Sequence, residues 1–482
     1  MIWAGYLPGI ADDAVDWQTL SFDRGGSPVQ ISVPSLSQEQ IAALSDRVRA
    51  AAREKLKTLP VTRIVNIVDA AIARLLDRND PYRQRMEELL PVITGYDAEM
   101  VRLGLTEYLK TFRKPQLTRF LAEDFPNPAC LDDFQPLAKG GFAKAHGPDL
   151  LLHVWAGNVP GLPLWSFVSG LLVKAGAIGK VPSAEPLFAS LFAQLLAEIE
   201  PEIADCFAVV WWKGGDPDSE MAFLKEADTV IAYGGNEALT ALRQNLPVTT
   251  RFLAHGHKVS FGLVSKNALD TKKAPETARK VAWDIVRYDQ QGCYSPHMFF
   301  VERGARVSPR DFARYVASEL AAFQHRFPNR ALSIAEAGDV AAWRQAEEMR
   351  LLSNAGSELM SDPDGAWSVV YDDSAETLAP SGLNRTIRIA AVDTLEDAIP
   401  AISPFKPFLQ TVGIAAAPEE LFSHSALLGE AGVTRISALG RMTAPEAGWH
   451  HDGRFSLLDL VTLTEIEATA ETAAESLAPY AD

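Results

Sequence analysis

Between residues 150 and 245 the chain alternates short apolar runs with longer helical ones. Residues 150–154, 177–181, 207–212 and 229–233 read as strands, and 163–175, 185–199, 216–227 and 236–245 as helices. Strand–helix alternation at this interval predicts a parallel sheet joined by right-handed crossovers. The strands are almost wholly apolar, as strands covered on both faces must be. A second alternating stretch runs from about 259 to 439, with candidate strands at 259–264, 298–301, 368–371, 386–392, 411–415 and 434–437. The fold class is therefore α/β.

The flanks differ. Residues 1–36 read as irregular or short-stranded. Helix is expected from Ser37, where Ser37 and Gln40 form a capping box ahead of Ile41, Leu44, Val48 and Ala52 on one face, with Pro60 after the end. More helix follows to about 123, with Asp97 as an N-cap, and 126–147 is turn-rich. The expected division is a largely helical region 1–147, an alternating core 148–257, a second alternating region 258–445 and a terminal segment 446–482. The Ala- and Glu-rich end from 465 reads as a helix or a frayed tail.

Composition narrows the function. A formal net charge of −17 argues against non-specific binding to nucleic acid or acidic membranes, though not against an anionic small substrate in a local basic pocket. Cys130, Cys206 and Cys293 are too far apart for a disulfide framework or a zinc spacing, which fits a reducing, cytoplasmic setting. The start lacks the pattern of a secretory signal, and no apolar run is long enough to span a bilayer.

Cys293 is the residue of greatest chemical interest. It lies in the run Tyr-Asp-Gln-Gln-Gly-Cys-Tyr-Ser-Pro-His at 288–297, after an amphipathic run (Ala278, Val281, Ala282, Ile285) and before the apolar run 298–301. A thiol on a short loop anchored between two packed elements can face a cleft as a nucleophile. A lone cysteine can equally be a small buried hydrophobe. Glycines gather where strands end and helices begin: Gly157, Gly214, Gly215, Gly234 and Gly235. Each can serve as a plain turn, but together they line the edge where a parallel sheet binds ligands, and helix N-termini there suit a pyrophosphate. The G-x-G-x-x-G fingerprint is absent.

These runs, in order, carry a resemblance. G-N-V-P, K-V-P-S-A-E-P, D-T-V-I-A-Y-G-G, the Gly-Cys loop and G-V-T-R-I-S resemble the aldehyde dehydrogenase superfamily. The runs at 94–100, 255–262, 289–297 and 448–460 are similar to its LuxC-type acyl-CoA reductase branch. The resemblance implies an acyl-accepting thiolate at Cys293 and an oxyanion hole from the Asn158 amide and the Cys293 backbone N–H. It also implies a dinucleotide site with Lys180 at the adenosine ribose and Gly234, Gly235 and Asn236 at the pyrophosphate. Ser183 falls where NAD-preferring members often carry Glu, which favours NADPH.

The implied reaction is reduction of a fatty acyl thioester, on CoA or a carrier protein, to the aldehyde. A homo-oligomer and an acyl-activating synthetase partner are expected with it. An oxidising aldehyde dehydrogenase, a cysteine acyltransferase and a scaffold subunit are the alternatives. Two departures stand out. The superfamily's general-base Glu is replaced by Ala254, and its second, ribose-binding Glu has no match near 380–385. His255, His257, His297, His450 and His451 are candidate proton donors, each equally able to be structural. No spacing supports a metal.

Overall fold

The computed structural model describes residues 2–24, 28–353, 356–374 and 376–479. Five helices at Gln38–Glu54, Val61–Leu76, Pro81–Thr94, Ala98–Lys110 and Lys114–Asp124 precede the two large sheets. The first starts at the expected box: Ser37 Oγ accepts from Gln40 N–H, and the Gln40 side chain accepts from Ser37 N–H. Each closing hydrogen bond satisfies a backbone donor that the first helical turn leaves free. Residues 16–22 and 29–35 form an antiparallel pair in a small sheet of their own.

Two parallel sheets follow, and their strands are numbered here in chain order. The first holds β1 (Leu150–Val154), β2 (Gly176–Lys180), β3 (Phe207–Val210), β4 (Thr229–Tyr233) and β5 (Arg251–His255), in the order β5-β4-β1-β2-β3. Order reverses beside β1, so the ends of β1 and β4 flank a crevice of the kind that holds ligands in such sheets. β5 is a strand that sequence reading passed over. It is an edge strand with a half-exposed pattern, so no apolar run marks it.

The second sheet holds β6 (Val259–Val264), β7 (Pro296–Glu302), β8 (Glu358–Ser361), β9 (Ser368–Asp372), β10 (Thr386–Val392), β11 (Leu409–Ala415) and β12 (Arg435–Ala438). Their order is β8-β9-β10-β7-β6-β11-β12, parallel except for β8 against β9. β7 lies in the middle, with Phe299, Phe300 and Val301 fully buried. The loop that carries Cys293 therefore leads into the best-anchored part of this sheet. Residues Thr462–Ile466 return to pair with Phe142–His146, and a short helix follows at Ala468–Glu475. Among the described residues no helix is long and apolar enough to cross a membrane.

Candidate active site

The helix Lys273–Val286 packs on the second sheet through Ala278, Val281, Ala282 and Ile285, all fully buried. Beyond it the backbone turns sharply. Tyr288, Asp289 and Gln290 all have left-handed φ, at 56°, 46° and 62°. A facing loop does the same at Leu383, Asn384 and Arg385, with φ of 55°, 48° and 66°. Non-glycine residues in this region cost of order 1–3 kcal/mol each and persist only where the surroundings fix them.

Here the fixing contacts are explicit. Arg385 Nε donates to Asp289 Oδ1 at 2.6 Å, with both side chains almost wholly buried. Asn384 N–H donates to the Asp289 carbonyl, Arg330 N–H to Asp289 Oδ2, and Gln290 Nε2 to the carbonyls of Pro296 and Thr386. The run near 380–385, which lacks a ribose-binding Glu, thus braces the cysteine loop. Tyr96 ties in the helical region: its one hydroxyl proton is shared between the Asn158 and Tyr288 carbonyls, at 3.0 and 3.1 Å. Tyr288 also lies against Gly104, where a Cβ would come within 2.7 Å of its hydroxyl.

Cys293 lines a cavity of about 430 Å³. Tyr233 from the end of β4, Val159, Leu162 and Trp165 from the segment after β1, Tyr108, Tyr294 and Trp449 share the wall. Of the aromatics after β1 and β3, Trp165 lines this cavity, whereas Trp155, Phe167, Trp211 and Trp212 are buried core. Burial pushes the Cys293 thiol up to about 11, a donor from Gln410 pulls it back, and the Asp452 charge pushes it up again. The resting group is therefore a neutral thiol. Cys206 is pushed up to about 12 and Cys130 upward, both by burial, and neither lines the cavity.

The histidines separate clearly. His451 Nε2 lies 4.0 Å from Cys293 Sγ. Its ring stacks on His255 at 4.3 Å and 8°, with Trp449 at 4.7 Å and Tyr233 at 6.2 Å. His255 Nδ1 is 2.9 Å from Asp452 Oδ2, and Gln410 Nε2 donates to Asp452 Oδ1 at 2.7 Å. Burial opposes the Asp452 charge, but the His255 hydrogen bond, the two rings and Gln410 together hold its carboxyl well below the usual range. His255, His451 and Asp452 approach closely enough to share an ion. Their facing atoms are already engaged with one another and with Gln410, so no metal is assigned.

His297 is elsewhere, with Nδ1 accepting from Ser381 N–H; burial lowers it to about 4. His257 sits by Gly235, and His450 packs edge-on against Phe455 with Nε2 unpaired. Asp452, Gln410 and Tyr233 belong to the site but escaped sequence reading. The one signal available was the His450-His451-Asp452 cluster beside Trp449.

The other expected site residues lie at the carboxyl edge of the first sheet or facing it. Asn158 Nδ2 donates to the Gln291 carbonyl at 2.6 Å, two residues before Cys293, and its second amide proton is not used by that bond. Lys180 Nζ is 5.7 Å from the Trp212 ring centre, and burial lowers its pKa. Ser183 is exposed and accepts from Trp211 Nε1 at 3.0 Å. Glu185, two residues on, is buried and caps the helix Leu187–Ile199 through its N–H groups, so it is occupied structurally. Gly214, Gly215 and Gly234 face open space. Gly235 does not, since its Cβ would meet His257, and Asn236 Oδ1 accepts from His257 N–H. Gly157 is packed against Pro182 and Ala184. Ala254 presents a methyl group from β5.

Residues 56–463 match the acyl-CoA reductase (LuxC) family. The chain belongs to that family. It is an oxidoreductase that acts on acyl thioesters. A long-chain acyl-protein thioester reductase 2 of Photobacterium leiognathi is 25% identical over 442 residues, 90% of this chain and 86% of that one. Among solved structures, an indole-3-acetaldehyde dehydrogenase of P. syringae in complex with NAD+ aligns with TM-score 0.75, 12% identity and 96% of each chain. An NADP-dependent glyceraldehyde-3-phosphate dehydrogenase from Bacillus halodurans, complexed with NADP, aligns with TM-score 0.73 and 13% identity, over 97% of this chain and 100% of that one. The fold is that of the aldehyde dehydrogenases.

Proposed function

We propose that the protein reduces a fatty acyl thioester to the aldehyde through an acyl group carried on Cys293, with NADPH as the preferred reductant. The observation that carries this reading is the placement of Cys293. It lies on a braced loop in a largely apolar-walled cavity that reaches the crevice between β1 and β4. A carbon chain suits the Val159, Leu162 and Trp165 wall, and the carbonyl oxygen suits the Asn158 amide and the Cys293 N–H. Acyl transfer to Cys293 forms its C–S bond and releases the donor thiol.

The open glycines at 214, 215 and 234 fit a dinucleotide lying across the carboxyl edge, because backbone alone meets it there. Lys180 and the small, exposed Ser183 would hold the adenosine ribose and leave room for a 2′-phosphate. When bound, the dinucleotide supplies hydride. Ala254 offers no carboxylate to activate water, so the acyl group on Cys293 is spared hydrolysis. That favours reduction over oxidation of aldehydes.

The division into a cofactor unit at 148–257 and a catalytic unit at 258–445 belongs to this proposal, as does a cytoplasmic enzyme. A homo-oligomer is supported by the exposed edge strand Thr462–Ile466 with Leu463 and Ile466 outward. The relatives' names support a protein-bound acyl donor, and hence an acyl-activating enzyme that loads it. The test is a panel of acyl-CoA and acyl-carrier thioesters of rising chain length, scored for NADPH consumption and aldehyde together. Thiol release without NADPH use would point to an acyltransferase, and neither event to a scaffold.

A further inference from the structure

The acyl-transfer step poses a proton problem. Cys293 rests as a neutral thiol in a half-buried setting, so it must lose a proton as it attacks. The departing thiolate, with an alkyl leaving group, must gain one. The chain position that resembles the superfamily's general base is Ala254, which can do neither. Among the described residues, one ring nitrogen lies within reach of Sγ, and it belongs to His451.

We propose that His451 carries this proton: Nε2 takes it from the Cys293 thiol as Sγ attacks the thioester carbonyl, and gives it to the donor sulfur as that C–S bond breaks. One C–S bond forms and one breaks, the proton moves from Sγ to Nε2 to the leaving sulfur, and nothing is oxidised or reduced. The inference rests on Cys293 being the acyl acceptor.

Three observations support it. The 4.0 Å separation suits a hydrogen bond to sulfur that tightens when substrate is bound. Burial lowers the imidazole to about 3, so the ring rests in the neutral form that can accept a proton, and the charge it then carries needs a partner. Asp452 Oδ1 lies 3.9 Å from the same nitrogen and favours the ring once it is charged. Asp452 is itself held by His255 and Gln410 in a left-handed conformation, φ 56°. Such strain in a non-glycine residue is typical of sites that need a group in one place. The remaining faces of the ring meet His255, Trp449 and Tyr233. Behind the two imidazoles lies a cavity of about 30 Å³ lined by Ser166, Ser169, Tyr233, Ala254, His255 and His451, room for a water.

The experiment varies the leaving group. Acyl-Cys293 formation is followed by rapid quench and intact mass, without NADPH, for one acyl group on an alkyl thiol (CoA) and on an acidic aryl thiol. His451→Gln should slow acylation by the alkyl thioester on the order of 10²–10⁴-fold. The aryl thioester should suffer less, because its thiolate departs without a proton and only the deprotonation of Cys293 is lost. Equal losses for both donors, or no loss, would overturn the proposal. If the variant does not fold, the wild type decides. Its rates with the two donors should differ much less than they do for a small thiol in water, and an equally steep dependence would overturn it. A wild type that is acylated by either donor, but not at Cys293, overturns the nucleophile itself and this proposal with it.

Discussion

The loop that carries Cys293 and the sheet edge proposed to face the cofactor are built on opposite plans. The cysteine loop is locked: two left-handed triplets interdigitate around a buried Arg385–Asp289 pair, with Arg330, Gln290 and Tyr96 closing the remaining valences. The cofactor edge is open: Gly214, Gly215 and Gly234 meet nothing, and Ser183 is exposed. The difference teaches where each half of the chemistry is decided. Attack on a carbonyl demands sub-ångström placement and is served by buried groups held by ion pairs and hydrogen bonds. Cofactor choice is a matter of which small or charged side chains line an accessible groove.

The contrast can be broken hardest from the locked side. Asp289→Ala would leave Arg385 buried without its partner, and removing one member of a buried pair costs about 3–5 kcal/mol. Denaturant unfolding should show that loss, and aldehyde formation should disappear with it. A loss below about 1 kcal/mol, at the level of an exposed pair, would mean the loop is not pinned there. Next comes Asn158→Ala, which should lower the acylation rate by about 10²–10³-fold with little change in stability, as removal of one oxyanion donor does. Unchanged acylation would assign the Asn158 amide to its Gln291 contact alone.

On the open side the effects shrink. Ser183→Glu should weaken NADPH about fivefold relative to NADH, since like charges at an exposed site repel by up to about 1 kcal/mol. Equal binding of the two dinucleotides by the wild type would remove the basis for NADPH. Gly234→Ala should leave stability within about 0.5 kcal/mol, because its Cβ meets nothing. Its one measurable effect should be weaker dinucleotide binding by titration.

The same two regions show what a sequence discloses. The parallel sheets were legible because strands covered on both faces are apolar throughout, and residues 150–154, 229–233, 259–264 and 386–392 stand in the structure as read. β5 was not, since an exposed edge strand has no apolar run to announce it. The cysteine loop was legible from its setting between two apolar elements. Its bracing was not: Asp289 and Arg385 are ordinary surface-type residues in sequence, and only the fold brings them together across 96 positions. His451 was one of five equivalent histidines by sequence. Proximity to Cys293 across 158 positions distinguishes it, and no local pattern encodes that.

The account stands on a covalent acyl group at Cys293. Incubating the protein with an acyl thioester in the absence of NADPH, followed by intact-mass and peptide analysis, tests it directly. A single acyl adduct should accumulate on the Cys293 peptide, release free acid far more slowly than NADPH converts it to aldehyde, and be absent from Cys293→Ala. An adduct on the Cys293→Ala protein, or acylation that maps to Cys130 or Cys206, would contradict the account.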